Sequence, residues 1–213
     1  MARTSNKLIF ERRISAFRFI GHYACLDFVN TEANKSGEIK ELLLDYEDLI
    51  TWLASAKLFS LSNLKRALDQ WQGKPAAERV FKRALILRNC LGEMAGGIVH
   101  TRSVPRGALQ ALNEVIGKPS GTTRLVKTAQ GFERRFEPDL REPGQILVPI
   151  GESAATLLCS GDLSRVKECS NSGCGAFFYD TSKNRGRRWC TTTGCGNRMR
   201  VAAFYKRQRY KSW

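Results

Sequence analysis

The chain has 213 residues, 42% of them hydrophobic, and a net charge of +15. That length suits one ordinary domain plus a small module, and no apolar run approaches the ~18 residues that would suggest a membrane-spanning helix. The charge is uneven: residues 163–213 carry a net +10 and residues 1–162 a net +5, an asymmetry that favours a polyanionic partner over a merely solubilising tail.

Residues 1–20 begin basic, and Phe17-Arg18-Phe19-Ile20 reads as a short strand. In Gly21–Thr31 the apolar Leu26, Phe28 and Val29 interleave with Asp27 and Asn30. An acid and an amide inside an apolar run need hydrogen-bond partners. Asp27 and Asn30 are therefore structural residues, with contact to a small ligand as the alternative. Asp45 followed by Tyr46, Glu47 and Asp48 predicts a helix start. Ser60 or Ser62 caps a second helix with Leu64, Ala67, Leu68 and Trp71 as its stripe, stopped at Gly73. Pro75 suits a first turn, and apolar residues recurring every three or four positions predict the longest helix over residues 76–94. Pro105 opens a further helix that closes at Gly117. Residues 122–127 and 132–136 flank Ala129-Gln130-Gly131 and predict a β-hairpin. Residues 146–159 form an apolar helix, and Gly161-Asp162 is the junction to the last quarter of the chain.

That last quarter holds four of the seven cysteines: Cys169, Cys174, Cys190 and Cys195. They form two C-x4-C pairs with fifteen residues between them, and Gly173 and Gly194 precede the second cysteine of each pair. Two short loops of this kind can close a tetrahedron of thiolates around one zinc ion. Two disulfides, an iron–sulfur cluster and redox thiols are the alternatives. The chain opens Met1-Ala2-Arg3-Thr4-Ser5-Asn6-Lys7 without an apolar segment, which argues for a reducing, cytoplasmic setting and against disulfides. Four thiolates leave no open coordination position, so the zinc is expected to be structural. Cys25, Cys90 and Cys159 have no ligand spacing. His22 and His100 have no nucleophile arrangement nearby, and no phosphate-loop or metalloprotease motif occurs. The chain is not expected to be an enzyme, and there is no candidate catalytic residue.

Basic residues surround the second pair. Arg185, Arg187 and Arg188 lead into it, and Arg198, Arg200, Lys206, Arg207 and Arg209 come after it on a predicted helix over residues 197–210. Arginine forks suit phosphate oxygens and guanine edges, so these eight are candidate nucleic-acid contacts. Phe177, Phe178, Trp189 and Phe204 are the candidate core of the module. Asn197 is read as a helix cap, and Arg198 is divided between a structural role beside Cys195 and a contact.

The segment from about 165 to 211 resembles the CGNR zinc finger. The resemblance rests on both cysteine pairs, Phe177-Phe178-Tyr179-Asp180-Thr181-Ser182, Asn184-Arg185, Arg187-Arg188-Trp189-Cys190 and Cys195-Gly196-Asn197-Arg198. The run Leu26-Asp27-Phe28-Val29-Asn30-Thr31, with Phe19 before it, resembles the start of the ABATE domain, the usual companion of that finger, and the likeness extends to about residue 160. The resemblance implies a stress-induced transcription regulator. The expected fold is mainly α: an ABATE-like helical domain, residues 1–160, with a small β-hairpin, then a CGNR-type zinc module, residues 161–213, ending in a basic helix. DNA is the expected partner. RNA or a protein partner is the alternative, with the helical domain sensing a ligand or forming a homodimer.

Overall fold

A computed structural model describes residues 17–35, 38–117 and 119–211. The described residues form seven α-helices and three two-stranded antiparallel hairpins, so the chain is mainly α. The basic start, residues 1–16, lies outside the described residues.

The run with the embedded acid and amide becomes a short helix, α1 (Ala24–Val29), with Cys25, Leu26 and Phe28 buried. The predicted strand over Phe17–Ile20 does not form. The N–H groups of Ile20 and Gly21 donate instead to Asp27 Oδ1, both at 2.7 Å, and Phe17 is tucked into the core. Burial raises the Asp27 carboxyl to about 6 against the opposing pull of these N–H donors.

Next comes a hairpin that the sequence does not predict, β1 (Glu32–Lys35) and β2 (Glu38–Glu41), in the register Glu32 to Glu41. Its polar sequence shows no apolar alternation, the usual mark of a strand. Charge anchors it instead. Arg88, 5% exposed, donates to both Glu41 carboxylate oxygens at 2.7 and 2.5 Å and to the Thr31 hydroxyl at 3.1 Å, and lies 3.5 Å from Glu32.

The capping signals place the next helices. Helix α2 (Tyr46–Ser55) starts where the Asp45 carboxylate accepts the Asp48 N–H at 2.8 Å. Helix α3 (Leu61–Trp71) starts at Ser60, whose hydroxyl accepts the Asn63 N–H. Helix α4 runs from Pro75 to His100, six residues past the expected end. Gly96 and Gly97 together cost a helix roughly 2 kcal/mol. The buried Met94, Ala95 and Ile98 hold it together through that stretch.

Helix α5 (Arg106–Ile116) and the hairpin β3 (Gly121–Thr128) and β4 (Gly131–Pro138) fall where the sequence places them. A 3₁₀ turn (Pro143–Leu147) leads into α6 (Val148–Ser160). The core lies between α1, α2, α4 and α6. Phe28 and Trp52, both fully buried, meet with ring centroids 4.8 Å apart, and Leu91, Met94, Ile150 and Leu157 belong to the same core. Burying side chains of this size contributes roughly 1.5–3 kcal/mol each.

Burial alone would raise the Glu41 carboxyl, but hydrogen bonds from Arg88 hold it below its ordinary value. The Arg88→Ala variant should lose about 3 kcal/mol of stability in urea denaturation at neutral pH, because truncation strands Glu41. A depressed carboxylate contributes stability above its ordinary value of 4.5 and loses it as the pH falls. The gap between the variant and the parent should therefore narrow in acid.

Candidate metal centre and nucleic-acid interface

After α6, a 3₁₀ turn (Leu163–Arg165) leads to a third hairpin, β5 (Val166–Glu168) and β6 (Phe177–Tyr179). Strand β6 obeys the two-residue alternation of side chains. Phe178 is fully buried against Cys169, Cys174, Cys190 and Cys195, while Phe177 and Tyr179 pack on the helical core. Phe177 was expected in the module's own core and instead joins the neighbouring one. Phe204 was also expected there and is 51% exposed. Ile20 and Trp189 complete the wall around the cysteines.

The four buried sulfurs lie within 4.8 Å of one another, with Cys174 to Cys190 at 3.7 Å and Cys190 to Cys195 at 3.6 Å. Thiolates around one tetrahedral zinc sit about 3.8 Å apart. None of the seven cysteines forms a disulfide, and the four sulfurs converge on one centre rather than standing as two bonded pairs, which favours a metal over disulfides. Hydrogen bonding from Cys190 pulls the Cys174 thiol down to about 5, and the same contact raises Cys190. Four thiolates this close ionise together only around a cation. The set fits one structural zinc, held by Cys169, Cys174, Cys190 and Cys195, whose binding would serve as folding energy.

The knuckle backbones use two glycines. Gly175 lies at φ 62°, in the left-handed region. A Cβ at Gly194 would sit 2.5 Å from the Thr191 hydroxyl, which accepts the Gly194 N–H. A π-type turn (Thr192–Gly196) carries Cys195 into the last helix, α7 (Asn197–Lys211). Thr191, not Asn197, provides the capping oxygen. Asn197 has helical dihedrals and lies inside the turn of α7.

The loop between the cysteine pairs is held by residues that cysteine spacing does not reveal. Asp180, wholly buried, accepts from Lys167 Nζ at 2.6 Å, from the Ser182 hydroxyl at 2.6 Å and from the Arg187 N–H at 3.0 Å. Burial would raise its carboxyl, but these donors, Lys167 foremost, hold it well below the ordinary range. Arg165 donates to the Asp180 and Ser182 carbonyls. Asn171 reaches Cys195 Sγ at 3.5 Å. The signal for Asp180 was its isolation, since residues 163–213 contain two acids among twelve basic residues.

The eight candidate contacts separate. Arg187 is spent inside the module: its guanidinium donates to the Trp189 and Cys190 carbonyls and lies 4.5 Å over the Phe178 ring. Arg185 pairs with Asp162 at 3.0 Å and reaches the Ser164 hydroxyl. Arg198 lies 3.8 Å from Cys195 Sγ. Arg188 is exposed beside the Trp189 ring. Arg200, Lys206, Arg207 and Arg209 stand on α7, where every side chain from Val201 to Arg209 is exposed.

Asp27 and Asn30 converge on the seam. The Asn30 side-chain amide accepts the Phe177 N–H at 2.9 Å and donates to the Phe177 carbonyl at 2.8 Å, as a neighbouring strand would. The Tyr179 N–H donates to the Gly21 carbonyl, in the segment that Asp27 holds. Tyr179 also stacks on His22, which has φ 72°, and its hydroxyl accepts the Asp162 N–H.

Residues 23–161, more than half of the chain, match the family model for the ABATE domain, described as "Putative stress-induced transcription regulator". The chain belongs to the ABATE family. Residues 165–208 match the CGNR zinc finger, the segment that holds the four-cysteine centre and most of α7. No curated protein matches the chain. No helix among the described residues is long and apolar enough to cross a membrane.

Protein purified under reducing conditions should hold one zinc per chain, measured by elemental analysis, and Cys190→Ser should lose most of it. Asn30→Ala should keep the zinc yet cost about 1–3 kcal/mol in urea denaturation, since both Phe177 backbone groups lose their partner. Arg187→Ala should cost a similar amount, about 1–3 kcal/mol, through its two carbonyl bonds and its ring contact.

Proposed function

We propose that this ABATE-family chain is a DNA-binding transcription regulator that presents α7 to the major groove from a zinc-fixed base. The observation that carries this reading is the bare surface of α7. A helix of fifteen residues, about 22 Å long, leaves the metal centre with all its side chains from Val201 to Arg209 exposed. A major groove admits a helix of this diameter. The zinc–thiolate centre is a net negative charge at the helix N-terminus, where the helix dipole favours it.

Lys183 and Arg188 on the loop and Arg198, Arg200, Lys206 and Arg207 on α7 are all exposed. In this reading the loop cations hold phosphates, and Arg200 and Arg207 reach base edges. Arg187 and Asp180 position the loop without touching the nucleic acid. Phe204 and Tyr205, in edge-to-face contact and 51% and 65% exposed, support a second reading. Such rings stack on unpaired bases, which would make single-stranded RNA the partner.

The test is the salt dependence of binding by zinc-loaded protein. With about six phosphate contacts, log K against log salt should slope near −5 on duplex DNA. Arg188→Ala should flatten that slope by about one unit on every duplex. Arg200→Ala or Arg207→Ala should relax sequence preference by about 1–3 kcal/mol. Single-stranded RNA outcompeting duplex DNA would favour the second reading. Slopes near zero on both would reject nucleic acid as the partner.

A further inference from the structure

A second concave site lies far along the sequence from the finger. A cavity of about 540 Å³ opens between the first turns of α4, helix α5 and the Pro143–Leu147 turn. That volume is in the range of small-molecule sites. Val80, buried, lies in its wall, and Arg79 and Arg83 of α4, Glu114 of α5 and Glu142 just before the turn also line it. Gly144 leaves room for Arg83: a Cβ there would sit 3.0 Å from Arg83 Nη1.

The charges in this cavity are not spent on one another. Among the described residues, neither Arg79 nor Arg83 closes an ion pair or side-chain hydrogen bond with Glu114 or Glu142. On the adjoining face of the same helix, Lys82 does pair with Glu78, at 2.7 Å. Two guanidinium groups one turn apart repel each other, and their planar forks match a carboxylate or a phosphate. Two carboxylates lining the same cavity, Glu114 and Glu142, supply acceptors for an ammonium group.

We propose that this cavity binds a small amphoteric molecule, with its carboxylate or phosphate on Arg79 and Arg83 and its ammonium on Glu114 and Glu142. The site would give the ABATE region a ligand of defined charge pattern. It stands on its own residues and does not rest on the nucleic-acid reading.

The experiment is calorimetric titration of the full-length, zinc-loaded chain with three probes: L-glutamate, O-phospho-L-serine and putrescine. At least one of the two amphoteric probes should bind with Kd below about 1 mM, and putrescine should not bind. The stronger of the two identifies the anion as carboxylate or phosphate. Arg79→Gln with Arg83→Gln should weaken that probe at least about ten-fold, a loss of about 1.4 kcal/mol. Both side chains are exposed, so an unchanged urea midpoint should show that the double variant is folded, and Arg79→Gln alone serves if it is not. Glu114→Gln should weaken the amphoteric probe but not its counterpart lacking the amino group, glutarate for L-glutamate or 3-phosphonooxypropanoate for O-phospho-L-serine. Absence of binding by both amphoteric probes, binding of putrescine alone, or affinity unaffected by the arginine variants would overturn the proposal.

Discussion

Four buried sulfurs determine where the rest of the C-terminal region can go. Cys169 and Cys190 are twenty-one residues apart in sequence, and the Cys190 N–H donates to Cys169 Sγ at 3.4 Å. Closing them around one ion fixes both knuckles and the loop between them. That closure also places Phe178 against the sulfurs and so turns Phe177 and Tyr179 to the other side of β6. The helical core receives them there, and Asn30 hydrogen-bonds the Phe177 backbone in both directions. One three-residue strand thus serves two cores. The metal centre and the ABATE core share this wall, although their sequence matches end and begin on either side of residue 162.

The same closure decides which charges face solvent. Asp180, Lys167, Arg165 and Arg187 satisfy one another and the loop carbonyls. Arg188 is left outside, and α7 projects beyond the turn that carries Cys195. Basic residues in one short stretch therefore do two kinds of work. Some hold the loop in one shape, and others are available to a partner. Neighbours in sequence, Arg187 and Arg188, fall on opposite sides of that division.

Much of this was legible in the sequence because the signals are local. Asp45 and Ser60 announce their helices through the backbone N–H groups they accept. The cysteine spacing names its ligands because thiolate chemistry admits few other uses of that pattern. What was not legible depends on distant partners. The sequence of the β1–β2 hairpin shows no apolar alternation, and its anchor, Arg88, is contributed by α4. The true end of α4 depends on packing around Met94 and Ile98, which outweighs the two glycines in its last turns. Phe177 and Phe178 are equivalent by composition, and only the alternation of β6 between two cores separates them. Phe204 has the hydrophobicity of a core residue, but no element among the described residues buries it. Asp27 and Asn30 were expected to satisfy hydrogen bonds, but nothing local indicates that the Asn30 partner is a strand 147 residues away.

The most direct test is amide hydrogen exchange along the full-length chain, with zinc bound and after its removal under reducing conditions. Metal closure supports β5, β6 and the base of α7, while the helical core is held by its own apolar packing. Removing zinc should therefore abolish protection across residues 166–200 and reduce it at Asn30 and Gly21. The amides of α4 and α6 should keep theirs. Unchanged protection in β6 and the first turn of α7 without zinc would contradict a metal-dependent finger.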